Sequence, residues 1–247
     1  MGGIDNVQEG PPIQDLQDAE NASEVKMGAV KHPKHNNKQR EADKIDKRGV
    51  HEDITQYISS LDLKATHLIS SPYTNFANLL RLDTLDRYST LLAFALTSLK
   101  PVRSDYATAD YMSSFNWSTV FHMLRGLCQH QDIIWPKQEF YVVIFRSLRR
   151  RDADPDIITK LDQESHGEAC ESGGLLKYWF GDCDGEMRNL ATCIWRNQPS
   201  AVAGGSGPWH ATARAAARDM YEHIEFQTHK LVVGAGAEEW RLEEYVQ

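Results

Sequence analysis

Aromatic residues are absent from the first part of the chain. Residues 1–56 contain no Phe, Trp or Tyr, although the 247 residues include eight Phe, six Trp and nine Tyr. Aromatic side chains dominate the packing of hydrophobic cores, and a segment without them has little to offset the entropy lost on ordering. We therefore expect residues 1–56 to be a disordered tail and residues 57–246 to form a single domain.

The chain also lacks the features of nucleic-acid-binding and membrane proteins. Its 27 Lys and Arg residues are outnumbered by 35 Asp and Glu residues, whereas nucleic-acid binders usually carry a basic field. It contains no apolar run of about 18 residues that could span a bilayer. Its N-terminus lacks the basic and apolar segments of a secretory signal. These absences predict a cytoplasmic protein without nucleic-acid or membrane partners.

Diagnostic metal-binding and nucleophile patterns are missing as well. The four cysteines show no Cys-x-x-Cys spacing and have no histidine at zinc-finger distance: Cys128, Cys170, Cys183 and Cys193. No Ser-His-Asp or Cys-His arrangement is evident in the sequence. We predict reduced, buried thiols, no metal site and no cofactor.

The first half of the domain has the apolar spacing of helices. Apolar residues recur at three- and four-residue intervals from Leu85 to Leu99, and Pro101 ends this stretch. A second amphipathic stretch follows Asn116, a residue type that favours helix N-termini. We expect residues 57–135 to be mainly helical.

From residue 138 onward the pattern changes to short strands separated by two helices. Strands are predicted at 140–146, 175–180, 189–195 and 225–233, and helices at about 155–170 and 208–223. This β-α-β-β-α-β order is that of the ferredoxin-like fold, in which both helices lie on one face of an antiparallel sheet. The predicted fold class is α+β, with a ferredoxin-like βαββαβ core at 138–246 elaborated by the N-terminal helices at 57–135.

The predicted strands are apolar on both faces, as Phe140-Tyr141-Val142-Val143-Ile144-Phe145 illustrates. An antiparallel sheet with one wet face would alternate apolar and polar residues. The second face therefore needs a cover, since an aromatic surface of this size would be sticky. That cover is either the helical segment 57–135 or a second copy of the chain in a homodimer.

Several long motifs resemble an uncharacterised, largely fungal family of proteins of unknown function. They are SPYTNFANLLRLDTLD at 71–86, GGLLKYWFG at 173–181 and RNLATCIW at 188–195. The resemblance extends over about residues 65–245. Because the family has no established activity, it implies no catalytic residue for this chain.

A second resemblance, at the level of the fold, is to the dimeric α+β-barrel superfamily, which includes antibiotic-biosynthesis monooxygenases and related cofactor-free enzymes. It rests on the strand order and on Trp195 followed by Pro208-Trp209-His210. In that superfamily two ferredoxin-like sheets form a barrel, and the substrate lies between sheet and helices. The extra N-terminal helices are a departure, because they could occupy the face that a dimer partner needs.

Two histidines and one group of strand residues are candidates for chemistry. His210, in the first turn of the last helix, is a candidate general base, and His166 is a second histidine near a helix end. Arg146 is the second catalytic candidate; it is predicted to share one sheet face with the substrate-binding candidates Trp179 and Trp195, where a cation flanked by indoles would suit an aromatic or carboxylated apolar ligand. The alternatives are polar helix-end histidines and a core aromatic cluster with Arg146 paired to a helix carboxylate.

Asn75 and Arg81 are further candidates for binding substrate from the helical segment. The alternative is a structural role, in which Asp83 or Thr84 caps the next helix and Arg81 pairs with Asp86 or Asp105.

The glycine-rich turn Gly204-Gly205-Ser206-Gly207 precedes a helix, and such turns can cradle phosphate. Acetyltransferases of the GCN5-related type hold coenzyme A with a similar strand, glycine loop and helix. The basic residue and the nucleotide-binding spacings are absent here, which favours a surface loop.

The sequence therefore predicts a small-molecule-binding protein, a metal- and nucleotide-independent enzyme acting on an apolar, aromatic or polyketide-like substrate in a barrel-type cavity. Two alternatives stay open: a non-catalytic binding or interaction protein, and an acyl-coenzyme A-dependent N-acyltransferase. A continuous antiparallel ladder in the order 4-1-3-2 would exclude the transferase.

Overall fold

The computed structural model describes residues 47–245, with side chains from residue 54 onward, so most of the predicted tail lies outside the described residues. The helices are α1 (Lys47–Ser60), α2 (Arg87–Leu96), α3 (Tyr111–Ser114), α4 (Trp117–His130), α5 (Pro155–Ser172), α6 (Gln198–Gly204) and α7 (Pro208–Met220). The strands are β1 (His67–Leu68), β2 (Leu80–Arg81), β3 (Gln138–Arg149), β4 (Leu175–Phe180), β5 (Arg188–Trp195), β6 (Tyr221–Val233) and β7 (Trp240–Glu244).

The main sheet has five antiparallel strands in the order β4-β5-β3-β6-β7. If β3, β4, β5 and β6 are numbered 1 to 4, their order across the sheet, read from β6, is 4-1-3-2. Helices α5 and α7 are the two crossover connections. This is the ferredoxin-like βαββαβ arrangement, so the predicted α+β fold class is confirmed. The edge strand β7 and the short helix α6 were not predicted from the sequence.

The folded part begins earlier than the predicted boundary at residue 57. Helix α1 starts at Lys47 and buries Ile54 and Ile58. A methyl group added at Gly126 of α4 would lie only 2.6 Å from Ile58 Cδ1, so the two helices approach closely. Aliphatic residues four apart are enough to bury one side of a helix. The lack of aromatic residues was therefore the wrong criterion for residues 47–56.

The chain covers one face of its own sheet. We call the face that contains Val142 and Ile144 the front and the face that contains Val143 and Phe145 the back. The front-face side chains share one buried cluster with residues of α2 and α4, among them Leu92. Of the two covers that the sequence left open, the N-terminal helices are the one observed for the front face.

Helix α5 covers part of the back face, and its limits follow from local sequence. The Asp154 carboxylate accepts hydrogen bonds from the backbone amides of Asp156 and Ile157, which caps the first turn. Gly173 and Gly174 have φ of 83° and 90°, a backbone region that favours glycine and ends the helix as predicted.

Helix α7 covers the back face much less completely. It packs against α5 and contacts β6, but none of its thirteen residues is buried. In the adjoining half of β6, Ile224 is 41% exposed and Phe226 is 55% exposed. Apolar surface on the back face is therefore left accessible beside α7.

Replacing Gly204 with alanine should destabilise the protein, because the added methyl group would overlap the buried indole ring of Trp195. We expect the free energy of unfolding to fall by about 1–3 kcal/mol, more than the helix-propensity gain of up to about 1 kcal/mol. The matched control is Gly185→Ala, where a methyl group would meet no atom within 4 Å. Urea unfolding of both variants measures this difference, and equal stability would contradict the packing argument.

Candidate functional site

A carboxylate between α5 and β4 is bound by two tyrosines. Asp162 accepts hydrogen bonds from Tyr73 Oη at 2.5 Å and from Tyr178 Oη at 2.6 Å. Tyr73 is held in place because its segment pairs with β4 through a hydrogen bond from Tyr178 N to Ser70 O, at 3.0 Å. The arrangement joins residues 89 positions apart in the sequence.

Burial alters the acidity of this group. Desolvation raises the pKa of Asp162, and the two phenol hydrogen bonds and the nearby His210 oppose this increase only in part. Burial and the adjacent Asp162 also raise the pKa of Tyr73 and Tyr178. The phenols therefore stay protonated and donate, while Asp162 is more basic than an exposed carboxylate.

His166 lies one turn further along α5. Its Nδ1 is 2.9 Å from Asn78 Nδ2, which can only donate, so the proton of the neutral imidazole is assigned to Nε2. Burial, and secondarily the nearby His210, lower the pKa of His166 to about 4. The sequence singled out His166 as a base at a helix end, whereas the structure places it as a neutral, buried ring.

We call Asp162, Tyr73, Tyr178, His166 and Asn78 the Asp162 cluster. Sequence reasoning found only His166 among them. Asp162, His166 and the buried Cys170 are four residues apart, so they lie on one side of α5, and that spacing was the available signal.

An aromatic row on the back face adjoins this cluster. Phe180, Ala191, Phe145 and Phe226 lie opposite one another on β4, β5, β3 and β6, a span of about 14 Å at the usual strand spacing. The rings of Phe145 and Phe226 are 5.2 Å apart, and Tyr178 is 5.7 Å from Phe180. Every side chain of this row is partly or fully accessible, although α5 and α7 pack on this side of the sheet.

His210 occupies a different environment. The Glu168 carboxylate accepts hydrogen bonds from Trp209 N at 2.7 Å, His210 N at 3.0 Å and His210 Nδ1 at 2.9 Å. Desolvation by itself would raise the pKa of Glu168, but these hydrogen bonds outweigh that effect and lower the pKa. An open groove of about 440 Å³ lies between Glu168 and Trp209. The first amides of α7 are thus bound by the protein's own carboxylate, which leaves no free phosphate cradle at Gly204–Gly207.

Arg146 points to the front face and is engaged by backbone. Its guanidinium donates to the carbonyl oxygens of Ala107 at 2.5 Å, Ala109 at 2.7 Å and Tyr106 at 3.2 Å. Arg146 therefore holds the loop at 106–109 against the sheet. Among the side chains that the structure describes, it forms no ion pair with a helix carboxylate, contrary to the structural alternative drawn from the sequence.

The two candidate tryptophans lie on opposite faces, so the prediction that they share one face with Arg146 is wrong. Trp179 pairs with Thr192 on the front face, and its ring contacts Phe115 at 4.9 Å. Trp195 pairs with Tyr141 on the back face and is buried. Trp179 does share the front face with Arg146, whereas the β3–β5 register turns Trp195 to the back, because a difference of one residue in register moves a side chain to the other face.

Asn75 and Arg81 are both exposed at the surface. Arg81 Nη2 is 2.9 Å from Asp83 Oδ2, so neither of the predicted partners of Arg81 is used. Asp86, rather than Asp83 or Thr84, caps α2 by accepting hydrogen bonds from two backbone amides. Asn75 precedes a short 3₁₀ helix without capping it.

Lys177 is a buried amine that the sequence reasoning missed. Its side chain lies in β4 and pairs in register with Ile194 on the front face, away from the Asp162 cluster. Desolvation lowers its pKa to about 8. A fraction of this amine is therefore uncharged near neutral pH.

The sequence also predicted that the chain has no metal site and no membrane-spanning segment. Within the part of the chain that the structure describes, no three His, Cys, Asp or Glu side chains are grouped to hold a metal ion. Over the same residues, no helix combines the length and apolarity needed to cross a bilayer. The four cysteines are free thiols, although only Cys128 and Cys170 are buried.

Comparison with known proteins confirms the resemblance to an uncharacterised fungal family. A family model described as PB2B2.08-like matches residues 69–244. The UPF0643 protein PB2B2.08 of the fission yeast Schizosaccharomyces pombe is 33% identical over 174 residues, which is 68% of this chain and 79% of the relative. Neither name states an activity.

Solved structures give a weaker likeness. A putative antibiotic biosynthesis monooxygenase from Nitrosomonas europaea matches 36% of this chain and 94% of its own, at 14% identity and a TM-score of 0.32. SnoaB, a cofactor-independent oxygenase from Streptomyces nogalater, matches 37% of this chain and 90% of its own, at 11% identity and a TM-score of 0.31. Scores this low carry no functional argument, so function has to be argued from the residues.

Proposed function

We propose that this chain, which belongs to the PB2B2.08-like family, binds a small apolar or aromatic molecule on its aromatic row, with the polar end of the molecule at the Asp162 cluster. The observation that carries the proposal is the accessibility of the row: Phe226 is exposed, and the other three aligned side chains are only partly buried on a face where two helices pack. A fully packed core would have closed over them.

The composition of the site fits such a ligand. Small-molecule sites are mostly apolar and contain a few polar groups that fix orientation. Here Phe145, Phe180 and Phe226 offer ring faces along about 14 Å, enough for a fused aromatic system. Tyr73 lies 6.1 Å from Phe180, so a hydroxyl or carbonyl of the ligand would meet the phenols that bind Asp162.

The same geometry supports an enzyme that needs neither metal nor nucleotide. Asp162 is a carboxylate of raised basicity next to two phenol donors, a pairing suited to taking a proton from a substrate hydroxyl while a phenol binds its oxygen. His166 is neutral and supports the cluster through Asn78. The alternative is binding without turnover, which uses the same contacts. The N-acyltransferase alternative is dropped, because the antiparallel ladder is continuous in the order that excludes it.

Phe226→Ala should weaken binding of 1-naphthol, a small aromatic alcohol, by about tenfold. Loss of one stacked ring with its buried area corresponds to about 1.4 kcal/mol. Isothermal titration calorimetry with wild type and variant measures the change. Phe76→Ala is the matched control, because Phe76 is also an exposed Phe, at 75%, and its ring contacts His67 rather than the aromatic row.

Asp162→Asn tests the polar end of the site separately. The substitution should weaken the binding of 1-naphthol more than the binding of 1-methoxynaphthalene, because the latter has no hydroxyl proton to donate. Equal binding of 1-naphthol by wild type and Phe226→Ala would refute the site. If Asp162→Asn weakens the binding of both compounds equally, the aromatic row remains the binding site, but Asp162 has no role in binding the hydroxyl group of the ligand.

A further inference from the structure

The two edges of β6 differ in how much of their length is paired with another strand. Its inner edge pairs with β3 from Tyr221 to Val233, whereas β7 pairs with its outer edge only from His229 to Val233. Tyr245 N then donates to Thr228 O. Among residues 47–245, no strand pairs with the outer edge of β6 from Tyr221 to Gln227.

This open edge carries few of the features that usually prevent strand pairing. Natural edge strands are protected by proline, lysine, bulges or a covering element. The sequence of 221–227 is YEHIEFQ, which contains neither proline nor lysine, and its pairing with β3 is irregular at one position, Glu222. Ile224 and Phe226 are 41% and 55% exposed, so two apolar side chains stand beside the free backbone groups.

We propose that a second copy of this chain pairs with this edge, antiparallel and around a two-fold axis at Ile224. A two-fold axis perpendicular to the sheet places the front faces of both copies on the same side of the joint sheet. An even-numbered residue of one copy must therefore pair with an even-numbered residue of the other, and an odd-numbered residue with an odd-numbered one. With Ile224 on the axis, His223 lies opposite the partner's Glu225, and Glu225 lies opposite the partner's His223. The result is a continuous ten-stranded sheet built from two five-stranded ones.

The charges select this register. Centring the pair on Glu225 would place two glutamates opposite each other, which is destabilising. Centring it on His223 would oppose two histidines and leave fewer residues paired. The Ile224 register pairs all seven residues of the open edge and places Glu225 opposite a histidine of the other copy instead of a second glutamate.

The front face offers no competing route to a dimer. It is already covered by α2 and α4, so two sheets cannot pack there face to face. The open edge of β6 is a part of the sheet that a second copy can reach. Residues 1–46, which the structure does not describe, are the other candidate occupant.

The test is the mass of the full chain in solution, by size-exclusion chromatography with light scattering and by sedimentation. Wild type should be dimeric at micromolar concentration. His223→Glu places glutamates opposite each other and should raise the dimer dissociation constant at least about tenfold. The double variant His223→Glu with Glu225→His exchanges the two residues and should restore the dimer. His130→Glu, at the exposed end of α4, makes the same charge change elsewhere and should stay dimeric.

Each outcome decides the proposal. A monomeric wild type overturns it, and protection of the 221–227 amides from hydrogen exchange in that monomer would identify the N-terminal residues as the occupant. A dimer that His223→Glu leaves intact places the interface elsewhere, and a double variant that stays monomeric overturns the register. His223 and Glu225 pair with Leu148 and Arg146 on the front face, away from the aromatic row. The double variant, which is expected to be dimeric like wild type, should therefore leave 1-naphthol binding unchanged.

Discussion

Acidification from pH 6.5 to pH 4 should lower the free energy of unfolding by about 3 kcal/mol through His166 alone. Burial lowers the pKa of this imidazole from 6.5 in the unfolded chain to about 4 in the folded protein. Well above pH 6.5 the ring is neutral in both the folded and the unfolded state, so its protonation does not affect the free energy of unfolding. As the pH falls towards 4, the unfolded chain binds a proton that the folded protein does not, and stability is lost.

The measurement is urea unfolding of wild type and His166→Gln at several pH values between 7 and 4. The variant loses the titration, so the stability difference between the two proteins should change by about 3 kcal/mol over this range. Comparing the two proteins is necessary because Asp162, whose pKa is raised, acts in the opposite direction as it protonates. A difference that does not vary with pH would contradict the buried, neutral imidazole.

Arg146→Met should lower the free energy of unfolding by about 3 kcal/mol. The substitution keeps most of the apolar stem but removes a charged donor from three backbone carbonyls, each such hydrogen bond being worth about 1.5–3 kcal/mol and not additive. Arg81→Met is the control, because Arg81 forms a solvent-exposed surface ion pair with Asp83, and such pairs contribute little to stability.

The same variants separate a structural role from a catalytic one. Arg146 is on the front face, so Arg146→Met should bind 1-naphthol with unchanged affinity at a temperature where it is folded. Loss of binding without loss of stability would restore Arg146 as a ligand-binding residue. Equal stability of the Arg146 and Arg81 variants would show that the loop at 106–109 does not depend on the guanidinium.

The ferredoxin-like core was predictable because its signals are local. β-Branched and aromatic runs mark β3 and β4, Asp154 and Gly173 mark the two ends of α5, and each signal lies inside the element it defines. α1 and β7 were missed for the opposite reason. Their residues are mostly polar, and they are ordered by contacts with distant parts of the chain, such as Ile58 with Gly126.

The candidate site was less predictable for two physical reasons. Tyr73 meets Asp162 across 89 residues, a contact that no local pattern encodes. The face on which a strand residue points depends on register to within one residue, and this separated Trp195 from Arg146. Periodicity along α5 placed Asp162 beside His166, but it could not supply the tyrosines that give the carboxylate its environment.

The order of the two halves of the front-face core along the chain has a consequence for protein synthesis. The helices of this core all end by His130, whereas the strands they pack on extend to β7, where Trp240 stacks on Phe121. A ribosome therefore releases Phe121 about 120 residues before Trp240, and Leu92 earlier still, and exposed surface of this kind promotes aggregation. The nascent chain needs protection until the whole sheet has emerged, and a chain that stops before β6 should accumulate as aggregate rather than as a smaller folded protein.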